Sequence, residues 1–429
     1  MYADLIIHGA KQLLTLQGGP QRGMDLGSLG MIEDGAIAIA DGIILAVGPS
    51  EEILDHYQAG RRINAKGQVL LPGFVDPHTH VLWVGERAAE FEQRVAGATY
   101  MEIMAAGGGI MATVRAVRQA DLKQIMDESR PRLQRMLSHG TTTAEAKTGY
   151  GLSTATELRM LEAVMHLDQE GPWDLSPTFL GAHAIPAEYS DDAQSYTDLV
   201  TEKMLPAVFH TWKEQYPHHP LPFVDVFCEI GAFNIDQSRQ ILSQAKSMGF
   251  PLKIHADEFE GLGGTTLAVE LGAISADHLV RTPQSDIQAL GQSDTVAVAL
   301  PCTPFGLAED AYTPAQAILD ANGILALATD LNPGTAWCES MQFSIALACR
   351  YMGLTQGQAI AAGTINAAAA IGRADQIGSL ESGKQADMIL LDIPDYRNLG
   401  YRFGTNLVTT VVKKGDVVVR NRTLEESAC

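Results

Sequence analysis

Two histidines one residue apart close an apolar run, Leu71-Pro72-Gly73-Phe74-Val75-Asp76-Pro77-His78-Thr79-His80. Alternate side chains of a strand share a face, so His78 and His80 project together at the strand's end. Two imidazoles on one face make half of a metal site. A bare pair of this kind is more often two partly exposed histidines near a turn. What raises it above that is the return of ligand types at the ends of later apolar runs, at His255 and Asp330. Three imidazoles and one carboxylate, with no thiolate, suit zinc, iron or manganese, and with room left for water the set is hydrolytic. Glu258 follows His255 by three residues, at a strand–loop junction where it can exchange protons with that water. His278 ends the next run and can hydrogen-bond the water or a substrate carbonyl. Each also fits an ordinary role, Glu258 as a solvated loop carboxylate and His278 as a core histidine on a backbone carbonyl.

These residues need elements that bring distant segments to one place. Eight short apolar runs recur from Pro72 onward: Gly73–His80, Thr141–Thr148, Pro177–His183, Phe223–Ile230, Pro251–Glu258, Ala273–His278, Thr295–Pro301 and Ile324–Asp330. Helical periods lie between them, among them Asp121–His139, Thr154–Asp168, Asp236–Ser247 and Thr313–Ala321. Strands apolar throughout suit a parallel sheet covered by helices. Eight in one alternating series predict a (β/α)8 TIM barrel; the rival, a doubly wound open sheet, lacks its GxGxxG turn. The polar residues support the barrel, since His78, His80, Glu145, Lys147, His183, His255, Glu258, His278 and Asp330 all fall near the C-terminal ends of the runs. Before the barrel stand β-prone runs at Leu5–Ile7, Ala36–Ile39 and Ile43–Val47, with Asp41-Gly42 as a hairpin signal. After it come helical segments at Glu339–Met352 and Thr355–Ala370, then β character at Met388–Leu391, Leu407–Val412 and Val417–Val419. The two termini are therefore expected to pair, residues 1–71 with 381–429 as a composite β domain and 72–380 as the barrel.

The formal net charge of −21 on 429 residues argues against nucleic-acid binding. It also means that an anionic substrate must meet a local cation. Cys228, Cys302, Cys338, Cys349 and Cys429 are scattered and odd in number, which predicts reduced thiols rather than a disulfide framework. No leader is read at the N-terminus, and no apolar run reaches the roughly 18 residues of a membrane span, so a cytoplasmic protein is expected. Gly107-Gly108-Gly109 lacks the Lys-Ser/Thr of a phosphate loop and predicts a mobile or tightly turned loop near the site. Lys147 is expected in an ion pair with Glu145 or another carboxylate rather than carbamylated between two metals.

PGFVDPHTH, HADE, SADHL and ATDLNPGT together resemble the amidohydrolase superfamily of metal-dependent barrel hydrolases, and Gly378–Asp392 is similar to the segment by which such chains re-enter their β-sandwich domain. Longer strings, among them GERAAEFEQRVAGATYMEIMAAGGGI, TTTAEAKTGYGL, LGAHAIP, VDVFCEIGAF and HADEFEGLGGTTLAVELGAISADHL, are similar to its imidazolonepropionase family. The resemblance implies hydrolysis of 4-imidazolone-5-propanoate to N-formimidoyl-L-glutamate in histidine degradation, by a cytoplasmic homodimer with one zinc or iron per chain that activates the attacking water. It implies His78, His80, His255 and Asp330 as metal ligands, with Glu258 and His278 catalytic. It implies Arg87, Tyr150, His183, Glu258, Asn332, Gly334 and Thr335 as substrate contacts, Arg87 making a two-pronged contact with the propanoate. The alternative is a deaminase of a nucleobase-like substrate, which needs the same metal set but no carboxylate receptor.

Overall fold

The structure is a computed structural model that describes residues 1–98, 102, 107–421 and 423–425; Cys429 and part of the Gly85–Ile110 string lie outside them. Among the described residues no helix is long and apolar enough to cross a membrane.

The eight barrel strands are Phe74–Asp76, Thr141–Lys147, Asp174–Ala182, Phe223–Cys228, Lys253–Ala256, Ser275–His278, Val296–Ala299 and Ile324–Leu327, and they stand side by side in chain order. All pair in parallel, which fits runs buried on both faces. The ring closes just beyond the first and last strands. Asp330 N–H donates to the His78 carbonyl at 3.1 Å, and His80 N–H donates to the Leu331 carbonyl at 2.9 Å. The backbone that seals the barrel thus carries three of the four expected ligands.

The helical periods form as read, for example Leu122–Ser138, Thr154–Glu170 and Ile235–Ser247. Asp121 caps the first by accepting from Gln124 N–H at 2.7 Å, and a reciprocal Asn234/Gln237 box caps the last. One segment differs: Thr355–Ala370 splits into helices Gln356–Ala362 and Ile365–Ala369. Thr364 leaves helical geometry (φ −131°, ψ −92°), and the Gly363 carbonyl accepts from Val75 N–H at 3.1 Å. The break ties the helical layer to the first barrel strand.

The termini share one mixed sheet of nine strands. Tyr2–Leu14, Met31–Ala40, Ile43–Pro49, Gln58–Asn64 and Val69–Pro72 come from the front, and Met388–Leu391, Val408–Lys413, Asp416–Arg420 and Thr423–Leu424 from the end. They join where Val69–Pro72 runs antiparallel to Met388–Leu391, with Leu71 opposite Ile389. Leu5, Leu13 and Ile37 from one wing share a core with Met388, Leu390 and Val412 from the other, so the sheet folds over itself as a sandwich. The hairpin at Asp41-Gly42 has φ of 51° and 74°, the paired positive values that a two-residue type I′ turn requires. Pro72-Gly73 separates the domains' sheets: Val69–Pro72 serves the sandwich and Phe74–Asp76 the barrel. Gln58–Asn64 escapes a hydrophobic reading because this strand, with Arg61 and Arg62, is largely exposed.

Candidate active site and metal centre

The first barrel strand ends at Asp76, so His78 and His80 sit just past it rather than within it. Asp76 is buried and accepts from the N–H of Thr329 at 3.1 Å and from its hydroxyl, which fixes the turn that presents Asp330. Burial pushes the Asp76 carboxyl up to about 7. His255 lies inside the fifth strand, and His278 closes the sixth with φ of 79°.

These side chains converge. The Nε2 atoms of His78 and His80 lie 3.4 and 3.5 Å from Asp330 Oδ1, and His80 Nε2 is 3.4 Å from His255 Nε2. The His78 and His255 rings are 4.4 Å apart. One ligand atom each from His78, His80 and His255 lie within 4.8 Å of one another, as do those of His78, His278 and Asp330. The outward nitrogens meet carboxylates: His78 Nδ1 is 2.6 Å from Asp277, and His255 Nδ1 is 3.0 Å from Asp225. At His78 the hydrogen-bonded carboxylate holds the proton on Nδ1 and turns the Nε2 lone pair inward. His78 Nε2 is buried and has no hydrogen-bond partner. An orphaned acceptor beside two more imidazoles and a carboxylate fits a cation. Burial first, then the neighbouring cationic and imidazole groups, holds His78, His80 and His278 well below the usual histidine range. They are neutral imidazoles, the form a metal takes. Asp330, whose carboxyl burial raises to about 6, also accepts from the Thr303 hydroxyl.

Beneath the histidines lies a buried ionic layer. Lys147 Nζ stands 2.6 Å from Asp225 and 2.9 Å from Glu145, and Lys253 Nζ stands 3.0 Å from Glu145 and 2.7 Å from the Pro77 carbonyl. Lys147 is therefore the ion pair expected of it, and against the desolvation of burial these carboxylates and Asp277 keep its ammonium charged. Asp225, Asp277, Lys253 and Thr303 escaped the sequence reading. The first three lie inside apolar strands, where only the inward period of a closed barrel places them under the ligands.

On the open side, Glu258 Oε2 is 3.6 Å from His278 Nε2. Burial, and then Asp330, Glu229 and Glu309, pushes its carboxyl well above the usual range, so it is neither solvated nor an ordinary loop acid. His183 stacks on His80 with centroids 4.8 Å apart and is anchored through Nδ1 to the Gly149 carbonyl at 3.0 Å. Burial pushes its imidazole down to about 3. Tyr150 is buried 5.9 Å from the His80 ring; burial and the charge of Asp330 raise its phenol, against the pull of Arg87.

Arg87, Gly334 and Thr335 line a cleft of about 360 Å³. Arg87 pairs with Glu90, Nε at 2.8 Å and Nη2 at 2.7 Å. The other oxygen of Glu90 accepts from Gly109 N–H at 3.1 Å. Gly107 and Gly109 have φ of 85° and 74°, so the glycine string is a tight turn tied to the site. Asn332 is occupied by its own loop: Oδ1 accepts from the N–H groups of Gly334 and Thr335, each at 2.8 Å, and Nδ2 donates to the Asp330 carbonyl at 2.7 Å. Its amide therefore shapes the loop that carries Gly334. Cys228, Cys302, Cys338 and Cys349 are free thiols.

Residues 69–418 match the model of the amidohydrolase family. The chain is 52% identical to an imidazolonepropionase of Herpetosiphon aurantiacus, covering 98% of each chain. It is 48% identical to one of Chloroflexus aggregans, covering 97% of this chain and 99% of that one. Among solved structures it is similar to an adenosine deaminase of Xanthomonas campestris with bound zinc (TM-score 0.74, 19% identity, 99% and 95% of the two chains). It is also similar to the guanine deaminase of E. coli (TM-score 0.72, 15% identity, 97% and 99%). At such identities these two share the fold, whereas the curated relatives match from end to end. The chain belongs to the imidazolonepropionases of the amidohydrolase family.

Proposed function

We propose that this chain hydrolyses 4-imidazolone-5-propanoate to N-formimidoyl-L-glutamate, opening a cyclic amide in histidine degradation. The observation that carries the reading is the convergence of His78, His80, His255 and Asp330 beside the buried Glu258, in a chain that matches imidazolonepropionases along nearly its whole length.

His78, His80 and His255 through Nε2, and Asp330 through its carboxylate, would hold one metal ion, and these donors are those that zinc and iron both accept. Such an ion, when bound, lowers the pKa of water toward about 7 and polarises a carbonyl oxygen. Asp277 keeps the His78 imidazole in the right tautomer from behind. Glu258 takes the proton of the attacking water and returns it to the ring nitrogen as the amide C–N bond breaks. His278, beside Glu258, donates to the oxygen on which negative charge develops. His183 and Tyr150 wall the ring against His80. Arg87 receives the propanoate carboxylate, the cation that an anionic substrate needs on a chain of net charge −21.

The test is turnover of imidazolone propanoate, followed by the appearance of N-formimidoyl-L-glutamate, alongside adenine, guanine and cytosine. Ring opening with no release of ammonia from the bases is expected. Deamination of a base, with imidazolone propanoate untouched, would replace this reading.

A further inference from the structure

Arg87 has a second guanidinium for a neighbour. Arg94 lies at the far end of the same helix, Ala88–Val95, and lines the same cleft. Its Nη2 donates to the Gly334 carbonyl at 2.9 Å. From the other side, Arg87 Nη1 lies so near Gly334 that a Cβ built there would stand 2.6 Å from it. The two cations thus flank one glycine. Their partners are unequal. Glu90 gives Arg87 an ion pair at 2.7 Å, whereas among the described residues Arg94 donates to a neutral carbonyl. Partial burial, then the charge of Arg87, lowers the Arg94 guanidinium, and Glu90 opposes them. Glu86, the remaining charged residue of the lining, is exposed. Two guanidiniums thus face one cleft around Gly334, with Glu90 bonded to Arg87 and Glu86 turned to solvent, on a chain that is strongly acidic elsewhere.

We infer that Arg94 is a specificity residue for the anionic arm of the substrate, completing with Arg87 a two-guanidinium receptor around Gly334. The inference rests on the reading that the arm is a carboxylate. A carboxylate has two oxygens and about four lone-pair sites, so a second guanidinium adds contacts without displacing the first. Arg94 acts in two ways: its charge draws the carboxylate toward Arg87, and its bond to the Gly334 carbonyl fixes the loop on which the arm rests.

The experiment measures kcat and KM for imidazolone propanoate and for the corresponding propanamide, whose arm is neutral. The proteins are wild type, Arg94→Met, Arg94→Lys and Arg87→Met. Hydrogen bonds to charged groups are among the stronger ones, so Arg94→Met is expected to lower the preference for carboxylate over amide by about tenfold. The loss should fall in KM, with kcat nearly unchanged. Arg94→Lys keeps the charge and should restore most of the preference. If Arg94→Met lowers kcat/KM equally for both substrates and lysine does not rescue it, Arg94 only braces the loop and the inference is overturned. Failure of the underlying reading looks different: wild type itself would then show no preference for the carboxylate, or no turnover of either compound.

Discussion

At the floor of the barrel mouth, His78, His80 and His255 are buried, and His78 and His255 have an aspartate fixed behind them by Lys147 and Lys253. At the rim, Arg87 and Arg94 are partly exposed and, among the described residues, bond one glutamate and one carbonyl. The floor belongs to strands whose ends are sealed by backbone hydrogen bonds; the rim is a short helix leaning on the loop 332–335. Buried and surrounded by charges of both signs, the floor has few alternative arrangements, because any unpaired buried charge is costly. The rim can shift a guanidinium at little expense. On the proposed reading, bond-breaking chemistry, which needs fixed geometry, sits on the rigid region. The proposed selection among substrate arms sits on the adaptable one.

The contrast breaks most visibly at Asp330. Asp330→Ala removes a ligand and the acceptor of the Thr303 hydroxyl together. Metal catalysis supplies several kcal/mol, so kcat should fall by at least about 10³-fold. Metal per chain, measured by elemental analysis, should fall with it, while circular dichroism stays that of a folded barrel. Full occupancy with normal turnover would remove Asp330 from the site.

Glu258 stands between floor and rim, and its substitution sharpens the comparison. Glu258→Gln keeps size and hydrogen bonding but cannot carry the proton. General acid–base groups contribute about 10²–10⁴-fold, so kcat should drop by that much with metal content unchanged. A loss of less than about threefold would shift the proton to another group, His278 being nearest at 3.6 Å.

The floor was the more legible region in the sequence, for the same physical reason that it is rigid. The candidate ligands His78, His80, His255 and Asp330 stand out because each lies at or just beyond the C-terminal end of an apolar strand. All eight barrel strands could be located because each is an apolar run bounded by polar residues, but their ends could not: Gly73–His80 is a strand only over Phe74–Asp76, and Pro251–Glu258 only over Lys253–Ala256. The buried ions Asp225, Asp277 and Lys253 were invisible because a charge within an apolar run means nothing until its partner, on another strand, is known. At the rim, Arg87 drew attention only through a family resemblance. Arg94 did not at all, since its meaning comes from Gly334, 240 residues away. Asn332 is expected at the pocket from the resemblance, and its side-chain hydrogen bonds shape the loop that carries Gly334 and Thr335.

The smallest expected effect tests whether the rim is as adaptable as its construction implies. A Cβ added at Gly334 would stand 2.6 Å from Arg87 Nη1 and 3.3 Å from its Cζ. Something must move, and what meets the methyl is the end of a long flexible side chain rather than backbone. Arg87 can retreat while Glu90 follows, because both belong to one turn of helix with Glu90 three residues on. Gly334→Ala should therefore fold normally and keep its metal. The receptor would be displaced by a fraction of an ångström, weakening a charged hydrogen bond without deleting it, so KM for imidazolone propanoate should rise by about three- to tenfold. The propanamide, which makes no ionic contact, should change less. Metal content and the acid–base chemistry at Glu258 belong to the floor and should stay as in wild type. A fall in kcat or loss of metal in Gly334→Ala would mean that strain at the rim reaches Asp330 through Asn332, whose side chain touches both the loop and the Asp330 carbonyl. Floor and rim would then be one mechanical unit.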